Sequence, residues 1–573
     1  MSVETARSTG PEQPRSPGRD TPSSGSELLV RQLVALGVEH FFFIIGGPMS
    51  DTIGLAVDYG LKGIGTRDER AATFAAIAYS RMTRRPGVVM SCSGPGTTNT
   101  VTGLAHAQAD GAPVIVLGGS AARYLSGTGG FQELDQVSLM RPVTKLSHQV
   151  ADPDGVPDAV ARAFQVATSG APGPVYLDLP SDVLYGLASG GEDPPLQSPR
   201  PAPRSAGDPE AVTAAIDVIT SAERPVIVFG SGVLWSGADS EVRALVERTG
   251  IPFFATPMAR GVIPDDHPLS FPAARSTAFR DTDCMVIIGT RDNYVVNHLK
   301  PPVVNADAAI IELNLEPTDL SRNRLATVAI AADAKLGIRQ LIREFGDRGT
   351  GPSPASWAKR LADKDMSSRA ALAAFSDSDE MPIHPQRLCA EIDRVRDRSS
   401  VAVIDGAAIL DFGRRALTAY EPARFMTPGV FGTMGVGVPF GLGAKLADPS
   451  APVIVLTGDG AFGYHAMELD TAVRYGLGVV IVIANNGGWT SKRGRPGYAL
   501  EFSDYHEIAN AVGCFGAKVT DPRELSRTLT VALEYATREK KPALINVIVS
   551  TDRLGGRGFS RHSRHSSGEY DAA

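Results

Sequence analysis

Cysteine is scarce: Cys92, Cys284, Cys389 and Cys514 are scattered through 573 residues without CxxC spacing. That excludes a disulfide framework and a structural zinc site, and it points to a reducing, cytoplasmic setting. No apolar run approaches the roughly 18 residues that cross a bilayer, so no membrane segment is expected. A positive excess is lacking too. Formal net charge is −7 with no basic block in the body of the chain, which argues against a nucleic-acid partner. The N-terminus has no apolar core of the kind a secretory signal needs. Met1 to Ser26 is rich in Ser, Pro, Arg and Gly and reads as a disordered lead.

What is present is apolar material for three domains, 43% of the chain. Short β-branched runs alternate with helical periodicity, the mark of parallel α/β sheets. Examples are Val88-Val-Met-Ser-Cys-Ser93, Pro225-Val-Ile-Val-Phe-Gly230 and Val401-Ala-Val-Ile-Asp405. The expected plan is a disordered lead (1–25) and three α/β domains at 26–188, 210–345 and 383–552. A Pro-rich extended linker (189–209) separates the first two. A polar linker (346–382), helical around Trp357 to Phe375, precedes the third. The tail at 553–573 is Gly-rich and basic, read either as plain disorder or as a flap over a site.

Two segments carry the chemistry. Val453-Ile-Val-Leu-Thr-Gly-Asp-Gly460 puts a carboxylate at the carboxyl end of a strand, with glycines that let a diphosphate approach the backbone. Ile481-Val-Ile-Ala-Asn-Asn-Gly-Gly488 follows after room for one helix, Phe462 to Tyr475, and a return strand. A right-handed crossover brings both strand ends to one sheet edge. Asp459 and the Asn486 amide oxygen are then hard oxygen ligands suited to a phosphate-bound Mg2+. Upstream, Glu69 precedes a helix at Ala71 to Arg81. An acid there is commonly a cap or dipole partner. Ser93-Gly-Pro-Gly-Thr-Thr-Asn99 is a strand-to-helix turn over which a ring or phosphate can lie close to backbone N–H groups.

The order Glu69, Ser93–Asn99, Gly432-Thr-Met-Gly-Val-Gly437 and Gly458-Asp-Gly460 … Asn485-Asn486 resembles the thiamine-diphosphate decarboxylase/carboligase superfamily. The likeness runs from about Ser26 to Thr551. It is greatest to acetolactate synthase, 2-hydroxyacyl-CoA lyase and oxalyl-CoA decarboxylase. The resemblance implies a pyrimidine-binding first domain, a central domain, and a third domain for diphosphate and Mg2+. It implies that Glu69 hydrogen-bonds the cofactor pyrimidine, and that Ser93, Gly94, Pro95 and Asn99 line that half. It further implies that Gly432 accepts the pyrimidine amino group beside Thr433, and that Met434 is the wedge beneath the cofactor. Gly458, Gly460 and Ala461 meet the diphosphate; Asp459, Asn486 and the Gly488 carbonyl hold Mg2+.

In that family the two halves of a site come from different subunits, so a homodimer is the minimum unit and a homotetramer is common. Phe131-Gln132 matches a pair seen near the substrate in acetolactate synthases, where oxalyl-CoA decarboxylases tend to carry Tyr-Glu. Gln132 is read either as a substrate ligand or as a loop amide, and His106 and His465 either as proton shuttles or as packing. Lys145 is either a family-like position or a surface charge. Phe43 and Ile45 depart from the family pattern near the thiazolium. Trp489 and Lys492-Arg-Gly-Arg495 replace a longer segment; they either line the pocket or form a solvated loop. A flavin or ADP in the central domain is disfavoured, because Asn314-Leu-Glu316 stands where relatives carry Asp-x-Asp.

The expected activity is decarboxylation of a 2-oxo acid, pyruvate first, with carboligation to a carbonyl acceptor. The alternative is the C–C cleavage of a 2-hydroxyacyl-CoA lyase or oxalyl-CoA decarboxylase. An inactive cofactor-binding scaffold is the third reading.

Overall fold

The computed structural model describes residues 22–189, 193–347, 354–489 and 496–551. Residues 1–21 of the expected lead, the tail from 552 and the Lys492–Arg495 loop lie outside the described residues, whereas the end of the lead is ordered: Ser24 caps and Gly25 begins the first helix. Three sheets follow one another, and every strand pair in them is parallel.

The first sheet holds β1 (His40–Phe43), β2 (Lys62–Gly65), β3 (Gly87–Ser91), β4 (Val114–Ser120), β5 (Leu146–Gln149) and β6 (Val175–Pro180), in the order β2-β1-β3-β4-β6-β5. The second holds β7 (Pro225–Phe229), β8 (Phe253–Ala255), β9 (Cys284–Ile288), β10 (Ala309–Asn314) and β11 (Val328–Ala331), ordered β11-β10-β9-β7-β8. The third holds β12 (Val401–Asp405), β13 (Phe425–Met426), β14 (Val453–Gly458), β15 (Val480–Asn485), β16 (Phe515–Val519) and β17 (Ala543–Ile548), ordered β13-β12-β14-β15-β17-β16.

The central strands are continuous apolar runs because helices cover both faces. Each sheet reverses its winding between its first and third strands, β1/β3, β7/β9 and β12/β14, and ligands of open α/β sheets bind in the crevice at that point. Asp405, Gly458 and Asn485 all end strands at one such edge.

The first and third domains share one core cluster. Its seam is the packing of the Glu69–Thr83 helix on the Gly437–Ala447 helix. The approach is so close that a Cβ at Gly443 would run into the Ala75 carbonyl. Arg81, on the same helix, is fully buried and donates to the carbonyls of Met258 (2.6 Å) and Phe425 (3.3 Å), tying the first domain to the other two. Burial pushes its pKa down to about 10, with the Asp110 charge opposing.

One expected helix sits differently. The single helix expected at Phe462 to Tyr475 is split into Asp459–Phe462 and Glu468–Arg474, because the chain turns at Gly463 and at the buried His465. The 346–382 stretch carries the Ala355–Ala373 helix, whose Trp357 and Leu361 enter the central core. The Pro-rich stretch runs along the first domain, with Asp193 accepting from Ser23 and Gln197 exchanging bonds with Gln32. Among the described residues no helix is long and apolar enough to cross a membrane.

Candidate active site

Glu69 is the first residue of its helix, not the residue before it, and is buried. Asp68 supplies the N-cap by accepting the Arg70 N–H at 2.7 Å, so Glu69 is released from capping. The Asn99 amide donates to Glu69 Oε2 at 2.9 Å. Oε1 faces Gly96 and the Cys92 thiol, and a side chain at Gly96 would fill that gap. Burial, and then the Glu69 charge, raise the Cys92 thiol above its ordinary value.

The Gly94 turn is built to bring two loops together. Gly94 has φ +59°, and a Cβ there would press on the Gln132 backbone. Ser93 donates its hydroxyl to Gln132 Oε1 at 2.7 Å, which leaves the Gln132 Nε2 donor without a partner among the described residues. Gln132 holds φ +57°, a strained posture for a non-glycine residue. Gln136, which sequence reasoning passed over, accepts the Gly94 N–H at 2.6 Å and donates to buried Asp178 at 2.8 Å. Its signal in the sequence was only a polar residue in a helix that must bury it. Phe131 is 88% exposed and Ile45 64% exposed, so neither closes a pocket within this chain.

The second half lies at the carboxyl edge of the third sheet. A cavity of about 40 Å3 is lined by Met434, Gly458, Asp459, Gly460, Ala461, Asn486 and Gly488, with Gly406, Ile409, Trp489 and Ser550 around them. Asp459 is 2% exposed and accepts the Gly488 N–H at 2.9 Å. Burial pushes its carboxyl up to about 6, against the Gly460 and Gly488 N–H groups. Asn486 Oδ1 lies 3.2 Å from the same Gly488 nitrogen. The Trp489 ring covers Gly460, so this tryptophan lines the pocket.

Among the described residues no group of three or more His, Cys, Asp and Glu could hold a metal. One carboxylate, one amide oxygen and a backbone carbonyl fit instead a cation that is shared with phosphate oxygens. Every residue lining this cavity lies between Pro385 and Ser550. Among the described residues, Glu69 and the rest of the first domain are not part of its lining.

Both histidines hold the loop that carries Met434: His106 Nδ1 is 3.1 Å from the Thr433 hydroxyl, and His465 Nδ1 is 2.6 Å from the Gly435 carbonyl. Burial holds His465 below its ordinary value and therefore neutral near pH 7. Lys145 is half-buried, and its ammonium donates to the Val166 and Ser169 carbonyls at 2.6 and 2.5 Å, closing the end of the Val156–Thr168 helix. Burial pushes it down to about 8. It is neither a free surface charge nor a site residue. Phe43 packs on Phe41, with centroids 5.4 Å apart.

A larger cavity, about 620 Å3, lies against the central sheet, with Trp235, Arg275, Arg291, Asn314 and Asp319 in its wall.

Comparison with known proteins gives this geometry a family. The thiamine pyrophosphate enzyme N-terminal TPP binding domain matches residues 23–139, the central domain 212–341, and the C-terminal TPP binding domain 410–547. A 2-hydroxyacyl-CoA lyase of Oryza sativa subsp. japonica is 34% identical over 566 residues, 94% of this chain and 97% of that protein. The oxalyl-CoA decarboxylase of Escherichia coli is 33% identical over 544 residues, 92% of this chain and 95% of that one. The acetolactate synthase large subunit IlvG of Mycobacterium tuberculosis is 33% identical over 532 residues, covering 91% and 95%. A buried glutamate at a helix start, a glycine-lined diphosphate edge and full-length likeness thus converge: the chain belongs to the thiamine pyrophosphate enzyme family.

Proposed function

We propose that this enzyme is a lyase that breaks the carbon–carbon bond beside a carbonyl in an acyl-CoA thioester, using thiamine diphosphate and Mg2+. The observation that carries the reading is one chain holding both half-sites while matching 2-hydroxyacyl-CoA lyases and an oxalyl-CoA decarboxylase over nearly its whole length. Thiamine diphosphate, when bound, supplies a nucleophilic carbon and an electron sink for the bond that breaks.

The roles of the chain's own residues are those the family likeness implies, and their positions support them. Glu69, steadied by Asn99, holds a proton at the pyrimidine ring nitrogen. The Gly432 carbonyl would accept from a bound pyrimidine amino group, and the Met434 side chain would pack against the cofactor. Ser93, Gly94 and Pro95 line the pyrimidine side. Gly458, Gly460 and Ala461 face the diphosphate. Asp459, Asn486 and the Gly488 carbonyl would hold Mg2+, which would relieve the cost of the buried Asp459 charge.

The reading also makes the site bipartite. The described lining of the cavity at Asp459 includes no first-domain residue, which supports Glu69 reaching it from a second copy of the chain. A homodimer is then the smallest active unit, and a tetramer is compatible with it. The central cavity has the size of a nucleotide and carries Arg275 and Arg291 in its wall, which suits an ADP- or flavin-like ligand despite Asn314.

A second reading, 2-oxo acid decarboxylation with carboligation, is favoured by one feature. The neutral Gln132 amide, fixed by Ser93, is placed to hydrogen-bond a substrate carboxylate or carbonyl. Offering the purified, cofactor-loaded protein a 2-hydroxyacyl-CoA, oxalyl-CoA and pyruvate in parallel separates the two. Aldehyde with formyl-CoA, or CO2 from the oxalyl thioester, is expected. Acetolactate and CO2 from pyruvate, with no thioester consumed, would overturn the lyase reading. Tight cofactor binding without any turnover would favour the inactive scaffold.

A further inference from the structure

The loop 429–437, which presents Gly432 and Met434, is suspended from all three domains. The Asp110 carboxylate accepts the Val430 N–H at 2.8 Å, and His106 meets the Thr433 hydroxyl at 3.1 Å. From the central domain, Tyr294 donates to the Val430 carbonyl at 3.0 Å. Within its own domain, His465 meets the Gly435 carbonyl, and Asp405 accepts the Gly437 N–H at 2.8 Å.

The first-domain pair is the unexpected part. His106 and Asp110 lie four residues apart on the Val101–Asp110 helix, and both side chains are wholly buried. Their facing atoms, Nε2 and Oδ2, are 3.1 Å apart, although not aligned as a good hydrogen bond. With the Asp110 carboxylate facing Nε2, the tautomer that carries its proton on Nε2 leaves Nδ1 to accept from the Thr433 hydroxyl. The ring stands edge-on to Phe74 and Phe440, 5.6 and 5.7 Å between centroids, and is boxed in place. Gly429 has φ +60°, and a Cβ there would run into the Asp110 carboxylate.

A buried polar pair of this kind is weak as a source of stability, since apolar groups of the same volume would serve as well or better. What it does supply is direction, at both ends of the bend before Met434. We infer that His106 and Asp110 are positioning residues: through Thr433 and Val430 they set where the Gly432 carbonyl and the Met434 side chain stand. The inference rests on the roles proposed above for Gly432 and Met434.

The test uses the full chain with thiamine diphosphate and Mg2+ in D2O, without substrate. It reads exchange of the cofactor C2 proton by NMR after acid quench, cofactor Kd by tryptophan fluorescence, and Tm. Thr433→Val and His106→Phe are expected to slow exchange roughly tenfold or more, as ångström-scale misplacement does. Cofactor Kd should stay within about threefold, a shift of under 1 kcal/mol. Thr433→Ser, which keeps the hydroxyl, should restore the rate. If His106→Phe does not fold, the two Thr433 variants decide the matter alone. Exchange in Thr433→Val within about twofold of wild type would overturn the inference, as that is too small for a displaced reacting geometry. So would a loss that merely tracks weaker binding, or a Thr433→Ser variant as slow as Thr433→Val. Met434→Ala separates the two layers. If it leaves exchange intact, the wedge role fails; if it slows exchange while the Thr433 variants do not, the positioning inference fails.

Discussion

Glu69 is held in a way that mere cofactor adhesion does not require. Asn99 fixes one carboxyl oxygen, Asp68 takes over the helix cap, and the other oxygen is kept clear by Gly96. Glu69→Gln is therefore expected to change thiamine diphosphate affinity by only a few-fold while cutting turnover by about 10²–10⁴, the span of positioned acid–base groups. Isothermal titration beside steady-state kinetics checks both arms. Asp459 makes a pH-dependent prediction. Burial raises its carboxyl to about 6, so it is ionised at neutral pH and takes up a proton as the pH falls through that value. Mg2+ needs the ionised form, so Mg2+-dependent cofactor binding should weaken steadily below about pH 6 and level off above it. A bound dication lowers the midpoint further, never raises it. Mg2+ titrations across this range, followed by Trp489 fluorescence, provide the curve.

These residues were legible because their motifs combine glycine with a named polar group at fixed order. The ones that hold them were not. Gln136, Asp405 and the His106–Asp110 pair act through contacts to loops far away in the chain, as in His106 to Thr433, and no local pattern announces such a partner.

At the scale of elements, the central strands were readable from their β-branched runs. The edge strands were not. Leu146-Ser-His-Gln149 pairs only with β6 and has no apolar face to declare it, and Phe425–Met426 is two residues long. The register of the sheet, not the sequence of the strand, makes them strands. The helix expected at 462–475 failed for a related reason, since periodicity does not register a turn that seats His465 under Gly435. The seam between the first and third domains is equally silent in sequence but sharp in structure. Gly443→Ala would press a methyl group into the Ala75 carbonyl, and neither helix can yield without moving Glu69 or the loop before Gly437. A destabilisation of about 1–3 kcal/mol is expected from such overpacking. Calorimetry should show a lower Tm, and a Tm at or above wild type would show that the seam has slack.

At the scale of the whole molecule, each half-site is rimmed by apolar side chains that no other described residue of the chain covers. Phe131 and Ile45 stand near the Gly94 turn, and Phe431, 51% exposed, stands beside Gly432. Patches of this kind mark interaction surfaces on proteins that otherwise bury such groups. A partner copy related by a two-fold axis would cover both rims at once and set Glu69 of one chain against Asp459 of the other. The sequence resemblance implied this division of the site. Among the described residues, those lining the Asp459 cavity all belong to the third domain, which accords with that division.

The most direct test is complementation. Glu69→Gln and Asp459→Ala chains are co-expressed with different tags, and the mixed oligomers are isolated through both tags. If the site is shared between chains, each mixed dimer has one site with both lesions and one with neither, so activity should return to about half of wild type. If Glu69 serves the Asp459 of its own chain, every site carries one lesion, and the mixed dimers will be as inactive as their parents.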